Sequence, residues 1–201
     1  MKFLKLNTNK HDLNKVAELI YETDSKTFNF YFKSRKGAAK RIRKLITTVN
    51  NSWSYKNIYV ATGSENQVYG ILSAYSEGEV NTTTDFKVYF KNLSFFDALK
   101  FLMLDIGDIR AGADLNNGDF YLSDLAVDLK CRGRGIGTFI LKNSIDLAKE
   151  KRCKRVVLDV DMENEGALRL YKRLGFEIFN RKSFKWFGGE KGVYNMEYKL
   201  I

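Results

Sequence analysis

Along the 201-residue chain, apolar positions fall into short alternating runs and longer runs of helical spacing, and the two kinds take turns. Residues 2–6 predict a first strand, after which Leu13, Val16, Ala17, Leu19 and Ile20 recur at the spacing of a helix with Asp12 in a capping position. A polar break at Thr23-Asp24-Ser25 precedes a second predicted helix, residues 36–49, with Ile42, Leu45, Ile46 and Val49 on one side and bases on the other. Residues 58–62 and 68–75, separated by Gly63-Ser64-Glu65-Asn66, predict an antiparallel hairpin. From 77 to 118 the pattern is less regular: a polar segment, a mixed stretch at 86–90 and a helix over 95–106. The second half alternates sharply, with strand 120–127, helix 135–150, strand 155–161, helix 164–174 and strands 176–180 and 193–200. Such an order implies a mixed sheet flanked by helices.

Composition narrows the class. A 44% hydrophobic share with 15 Phe and 11 Tyr is that of a folded chain, and the length suits one domain, so 1–201 is read as a single unit. Residues 77–118 are then expected to be an insertion or an elaboration on the substrate side. The net charge of +10 favours anionic ligands, yet the lysines are spread along the chain and the one local cluster, Lys33 to Lys44, shares its helix with an apolar face. Nucleic-acid binding is therefore not expected. Two cysteines, Cys131 and Cys153, cannot build a disulfide framework, and a single histidine, His11, leaves a histidine-based metal site or a Ser-His-Asp triad hard to assemble. No metal is expected. The first residues lack the apolar core of a signal peptide and nowhere do 18 apolar residues run together, so a cytoplasmic protein without membrane association is expected.

Candidate chemistry begins between the strand ending at Val127 and the helix near Gly135. There Arg132-Gly133-Arg134-Gly135-Ile136-Gly137 sets three alternate glycines at a helix start, where bare amides and the helix dipole suit a pyrophosphate. A dinucleotide fingerprint needs glycine three places after Gly135, where Thr138 stands; a Walker loop needs Gly-Lys-Ser/Thr, and Gly137 is followed by Thr138-Phe139. Both fail.

With Leu125-Ala126-Val127-Asp128 before it, this loop resembles the coenzyme-A signature of the GNAT superfamily of acyltransferases. The run from Asn164 through Tyr171 to Gly175-Phe176 is similar to that family's asparagine-to-tyrosine helix and the strand entry after it. The likeness is close over 120–180 and extends to the N-terminal half only in the order of elements. It implies an α/β (α+β) fold with a mixed, largely antiparallel central sheet and flanking helices. It also implies an acetyl-CoA-dependent N-acetyltransferase in which strands 120–127 and 155–161 splay to admit the pantetheine arm. Coenzyme contacts are then expected from Leu125, Ala126 and Val127, from Arg132, Gly133, Arg134, Gly135, Ile136, Gly137 and Thr138, and from Asn164, Ala167 and Tyr171.

Tyr171 lies seven residues after Asn164, about two helical turns, so both are expected on one face; the resemblance makes the Tyr171 hydroxyl the acid that protonates the leaving thiolate. For the base, two carboxylates stand on strands beside the coenzyme, Asp124 and Asp159, either of which can instead be an ion-pair partner. Glu22 and Asp24, with Phe28 and Tyr31, are candidates for an anionic, aromatic-walled acceptor pocket, to which Phe184, Trp186 and Phe187 add a later aromatic group. The amine acceptor, small molecule or peptide, is left open, as are a homodimer and the alternative of a non-catalytic acyl-CoA-binding module.

Overall fold

The computed structural model describes residues 1–186 and 189–200. Its seven strands form one sheet in the order β1-β2-β3-β4-β5-β7-β6. Here β1 is Lys2–Lys5, β2 Ile58–Thr62, β3 Val68–Ser76, β4 Asp119–Val127, β5 Arg155–Asp161, β6 Glu177–Trp186 and β7 Gly189–Lys199. Every neighbouring pair is antiparallel except β4 and β5, which are parallel. The expected mixed, largely antiparallel sheet with flanking helices is what forms.

Helices cover both faces: α1 Leu13–Thr23, α2 Ser25–Phe32, α3 Arg35–Ile46, α4 Thr82–Asn92 and α5 Phe95–Ala111 precede β4, while α6 Ile136–Glu150 and α7 Glu165–Arg173 follow it. A strand buried on both faces needs apolar residues at successive positions, and β2 has them from Ile58 to Ala61. Ile58 and Val60 join Ile20, Leu45 and Phe101 in one core, whereas Tyr59 and Ala61 join Ile140, Leu141 and Phe176 in the other. His11, 7% exposed, accepts a bond from the Asn7 amide through Nδ1, and burial lowers its pKa. It is a neutral structural histidine.

Five departures from the sequence pattern follow. The break at Thr23-Asp24-Ser25 is a single residue, because Asp24 ends α1 and caps α2, its side chain accepting from the Thr27 amide. The second predicted helix stops at Ile46, leaving Val49 outside it and 41% exposed. The stretch at 86–90 belongs to α4, α5 runs on to Ala111, and the last two strands extend to Trp186 and back from Gly189.

What shapes the site is the parting of β4 from β5. Their ladder runs from Asp119↔Arg155 only to Leu122↔Leu158, while β4 stays paired with β3 as far as Val127 and β5 with β7 as far as Asp161. Opposite β3 the register jumps from Ala74↔Leu122 to Ser73↔Asp124, which leaves Ser123 as an extra residue. A bulge of this kind bends and twists its strand, and it sits where β4 leaves β5.

Below the parting the two strands are clamped. Arg155 donates from Nε and Nη2 to the two Asp119 oxygens at 2.7 and 2.8 Å and from Nη1 to Glu197 at 2.7 Å. Asp119 is 2% exposed, and truncating it removes two of the bonds of a half-buried guanidinium that keeps Glu197 as its partner. Asp119→Ala is expected to destabilise the fold by roughly 1–3 kcal/mol in denaturant unfolding; a loss within about 0.5 kcal/mol, the range of an ordinary surface substitution, would contradict the clamp.

Candidate active site

Among the described residues, six of the seven α-helices carry a capping side chain at their start, and α6 alone has none. Its cap is Gly135, at φ +78°, preceded by Gly133 at φ +76°. A Cβ built on either glycine would meet nothing within 4 Å, so the backbone there faces open space. First-turn amides left without a side-chain acceptor, at the positive end of a helix dipole, form an anion site. Gly137 serves differently: a Cβ there would lie 3.1 Å from Leu170 Cδ2 and 3.9 Å from Val127 Cγ2. Its lack of a side chain lets the start of α6, the end of β4 and α7 close together.

Cations surround this loop. Arg132 and Arg134 are exposed, and Arg132 Nε donates to the Val127 carbonyl at 3.1 Å. Arg173, which no motif in the sequence singles out, donates from Nη2 to Thr138 Oγ1 at 3.3 Å and so adds its charge beside the first turn of α6. Asp128 fixes the approach, paired with Lys15 at 2.6 Å, which holds its carboxyl below the usual range.

The open edge of β4 continues from the loop. The Asp128 amide bonds Tyr69 O on β3, so by strand alternation the backbone groups of Val127 and Leu125 point to the side that β5 has left. Ala126, 6% exposed, turns its side chain into a core instead. Asn164 is the cap of α7, accepting from the Ala167 amide at 3.1 Å, rather than a residue on the same helical face as Tyr171.

Tyr171 is 8% exposed and packs on Phe176 with ring centroids 5.9 Å apart. Burial pushes its hydroxyl up to about 12, which keeps the proton on at neutral pH. No hydrogen bond of that hydroxyl is made among the described residues.

Where β4 and β5 diverge, a cavity of about 350 Å³ opens, lined by Ser123 and Asp124 from one strand and Asp159, Val160 and Asp161 from the other. The two candidate carboxylates differ in occupation. Asp159 accepts from the Tyr121 hydroxyl at 2.7 Å, the Ala113 amide at 3.1 Å and the Asn195 amide group, ties that join β4, β5, β7 and the end of α5. Among the described residues Asp124 accepts only hydroxyl bonds, from Thr23 at 2.9 Å and Ser123 at 3.1 Å. Burial raises the pKa of both.

Of the residues expected to form the acceptor pocket, Asp24 and Phe28 line the cavity. Glu22 does not, being paired with Arg35 at 2.7 Å on the surface of α1, and Tyr31 is turned into the N-terminal core, its hydroxyl buried without a partner among the described residues. The side chains of Phe184 and Trp186, and Phe187 altogether, lie outside the described residues. Sequence reading missed Tyr75, Tyr121, Asp85 and Asp105, which complete the wall and share no motif. No group of three or more potential metal ligands occurs among the described residues, and no helix there is long and apolar enough to cross a membrane.

Comparison with known proteins agrees with this geometry. N-alpha-acetyltransferase 30 of Xenopus laevis is 36% identical over 98 residues, which cover 47% of this chain and 35% of that protein. The spermine/spermidine N(1)-acetyltransferase of Bacillus subtilis is 37% identical over 79 residues, covering 39% of this chain and 50% of that one. The matched part is thus about a third to a half of these relatives' length. An N-acetyltransferase from Staphylococcus aureus Mu50 shares the fold with a TM-score of 0.70 at 19% identity, over 97% of this chain and all of that one. The acetyltransferase (GNAT) family model matches residues 65–176, more than half of the sequence, and the chain belongs to that family.

Proposed function

We propose that the protein transfers an acetyl group from acetyl-CoA to a primary amine by direct attack. The observation that carries this reading is the continuous open edge of β4, which runs from an uncapped, glycine-lined helix start to a carboxylate-lined cavity. The amides from Gly133 to Thr138, with Arg132, Arg134 and Arg173 around them, suit the coenzyme's pyrophosphate. Leu125 and Val127 suit the pantetheine amides as an added strand would, the Val127 carbonyl exchanging its Arg132 bond for one to the coenzyme.

The cavity end then receives the thioester carbonyl. The amine nitrogen attacks that carbon, the C–N bond forms and the C–S bond breaks. The nitrogen's proton passes to Asp124, directly or through water, and the sulfur takes a proton from the Tyr171 hydroxyl. Asp124 fits the base because two hydroxyl donors leave it room to accept; the saturated Asp159 fits a framework role.

Amine-dependent release of free thiol from acetyl-CoA, with acetylated product seen by mass spectrometry, is the expected result in a screen of diverse amines. Release without any acetylated amine would contradict it. A base must be ionised, and burial raises Asp124, so the rate is expected to fall as pH drops through a carboxyl pKa lying above the ordinary aspartate value. Asp124→Asn should lower kcat by about 10²-fold or more and remove that acidic limb. An unchanged pH profile in the variant would transfer the role to water.

A further inference from the structure

We propose that α1 is a splint for the half of β4 that β5 has left, in which Thr23 is the positioning residue of Asp124 and Lys15 that of the coenzyme loop. The proposal rests on the acetyltransferase reading with Asp124 as its base, and adds what holds that base in place.

β4 needs such a support. Beyond Leu122 it has no β5 beside it, and β3 alone pairs it as far as Val127. Backbone bonded along one edge opens more easily than backbone paired on both.

The bulge at Ser123 decides which face Asp124 takes. Phe120 and Leu122 are buried in one core with Leu72 and Ala74, whereas Ala126 is buried in the other with Ile71 and with Val16, Leu19 and Ile20 of α1. Side chains two or four places apart on an unbroken strand share a face. The extra residue exchanges the faces between Leu122 and Ala126, and Asp124 goes with Ala126 to the side of α1.

There α1 runs antiparallel to β4 and ties it at both ends. The Thr23 hydroxyl, in the last turn of the helix, donates to Asp124 at 2.9 Å, and Lys15, in the first turn, pairs with Asp128 at 2.6 Å. The spans match: eight residues of helix from Lys15 to Thr23 cover about 12 Å, and four of strand from Asp124 to Asp128 about 13 Å. Val16, Ala17 and Leu19 are fully buried, so the ties start from a helix that is itself fixed.

The hydroxyl suits a group that changes its protonation. Thr23 Oγ1 also lies 2.7 Å from the Ile20 carbonyl. A hydroxyl has one proton to give and lone pairs to accept with, so it donates to ionised Asp124. Once Asp124 carries the amine's proton on Oδ1, Thr23 accepts from it and donates to Ile20 instead. The carboxyl is thus held in one place before and after the transfer.

Donation from Thr23 favours the charged form of Asp124, against burial, which raises its pKa, and against the charge of Asp24 at the end of α1. The other titratable groups of the cavity are Tyr75 on β3, Asp85 on α4, Asp105 and Asp108 on α5, Tyr121 on β4, and Asp159 and Asp161 on β5. Substituting Thr23 or Lys15 leaves all of them in the chain.

Thr23→Val keeps the shape without the hydroxyl, Thr23→Ser keeps the hydroxyl, and Lys15→Met removes the other tie. Thr23→Val is expected to lower kcat at saturating acetyl-CoA about tenfold or more, to move the acidic limb of the rate to higher pH and to leave coenzyme affinity within about twofold. Thr23→Ser should restore rate and limb. Lys15→Met should weaken coenzyme A binding about threefold or more and leave the limb in place. NMR titration of the aspartate carboxyl carbons, with Asp124→Asn assigning the signal, should show Asp124 losing its proton at higher pH in Thr23→Val, independently of turnover. Parent kcat, limb and carboxyl titration in Thr23→Val, no restoration by Thr23→Ser, or parent coenzyme affinity in Lys15→Met would overturn the splint. The two readings fail separately: a shifted Asp124 titration in Thr23→Val beside a fully active Asp124→Asn sinks the base alone, and an inactive Asp124→Asn beside a Thr23→Val at parent values sinks the splint alone.

Discussion

Tyr171→Phe is expected to lower kcat by roughly 10²- to 10⁴-fold with little change in acetyl-CoA affinity. The substitution removes only the hydroxyl and keeps the ring against Phe176, within a core that includes Phe120, Leu158 and Met196. Because burial holds the hydroxyl near 12, it stays protonated throughout the working range and is a donor to a developing thiolate rather than a base. The lack of any competing partner among the described residues leaves that proton available. Stability should change by less than about 1 kcal/mol, since no internal hydrogen bond is lost. Measuring kcat, coenzyme affinity and Tm on one sample separates the cases: a normal kcat with a normal Tm would remove Tyr171 from the chemistry.

Gly135→Val should weaken coenzyme A binding by at least about 100-fold, for two separate reasons. At φ +78° a β-branched residue is strained by more than about 1–2 kcal/mol, which pulls the cap of α6 out of its turn. Its branches would also fill the open space before the first-turn amides, where a phosphate must come within hydrogen-bond reach. No neighbour lies within 4 Å of the added Cβ, so the fold should survive with a modest loss of Tm. Arg132→Ala should cost less, because its guanidinium assists the loop without shaping it. Calorimetry on Gly135→Val that returns the parent affinity would dissociate this loop from the coenzyme.

Legibility along the chain follows where local chemistry agrees with tertiary structure. β2 and β5 appear with the bounds predicted for them, since each is built round a run of buried apolar residues, Ile58 to Ala61 and Val156 to Leu158. The glycine loop is equally readable, because positive φ at Gly133 and Gly135 demands that residue type. α2 and α4 are not. Their sequences, SKTFNFYF and TTTDFKVYFKN, are rich in aromatic and β-branched residues of low helix propensity, and packing overrides it. Tyr89 on α4, fully buried, accepts from Trp53 Nε1 at 2.8 Å and donates to Asp105, contacts that no local window contains.

The same limit governs the site. Strand alternation assigns faces to Asp124 and Asp159, and the family resemblance sets them beside the coenzyme, but neither ranks them, because the donors that saturate Asp159 come from Ala113, Tyr121 and Asn195. Glu22 failed as a pocket residue because Arg35, thirteen positions on, captures it at the surface. The aspartates that line the cavity come from the junction of α1 and α2 and from α4, α5, β4 and β5, and each alone looks like ordinary surface charge.

The central claim is that the uncapped start of α6 and the parted strands together bind acetyl-CoA, and thermal unfolding with increasing coenzyme tests it most directly. A ligand that binds only the folded state adds RT ln(1 + [L]/Kd), about 2.7 kcal/mol at one hundred times Kd. Tm is expected to climb by several degrees with acetyl-CoA or coenzyme A and to move far less with NAD or ATP at equal concentration. A Tm that stays put at about millimolar acetyl-CoA, where even a Kd of that size contributes roughly 0.4 kcal/mol, or that rises equally with all three nucleotides, would contradict the account.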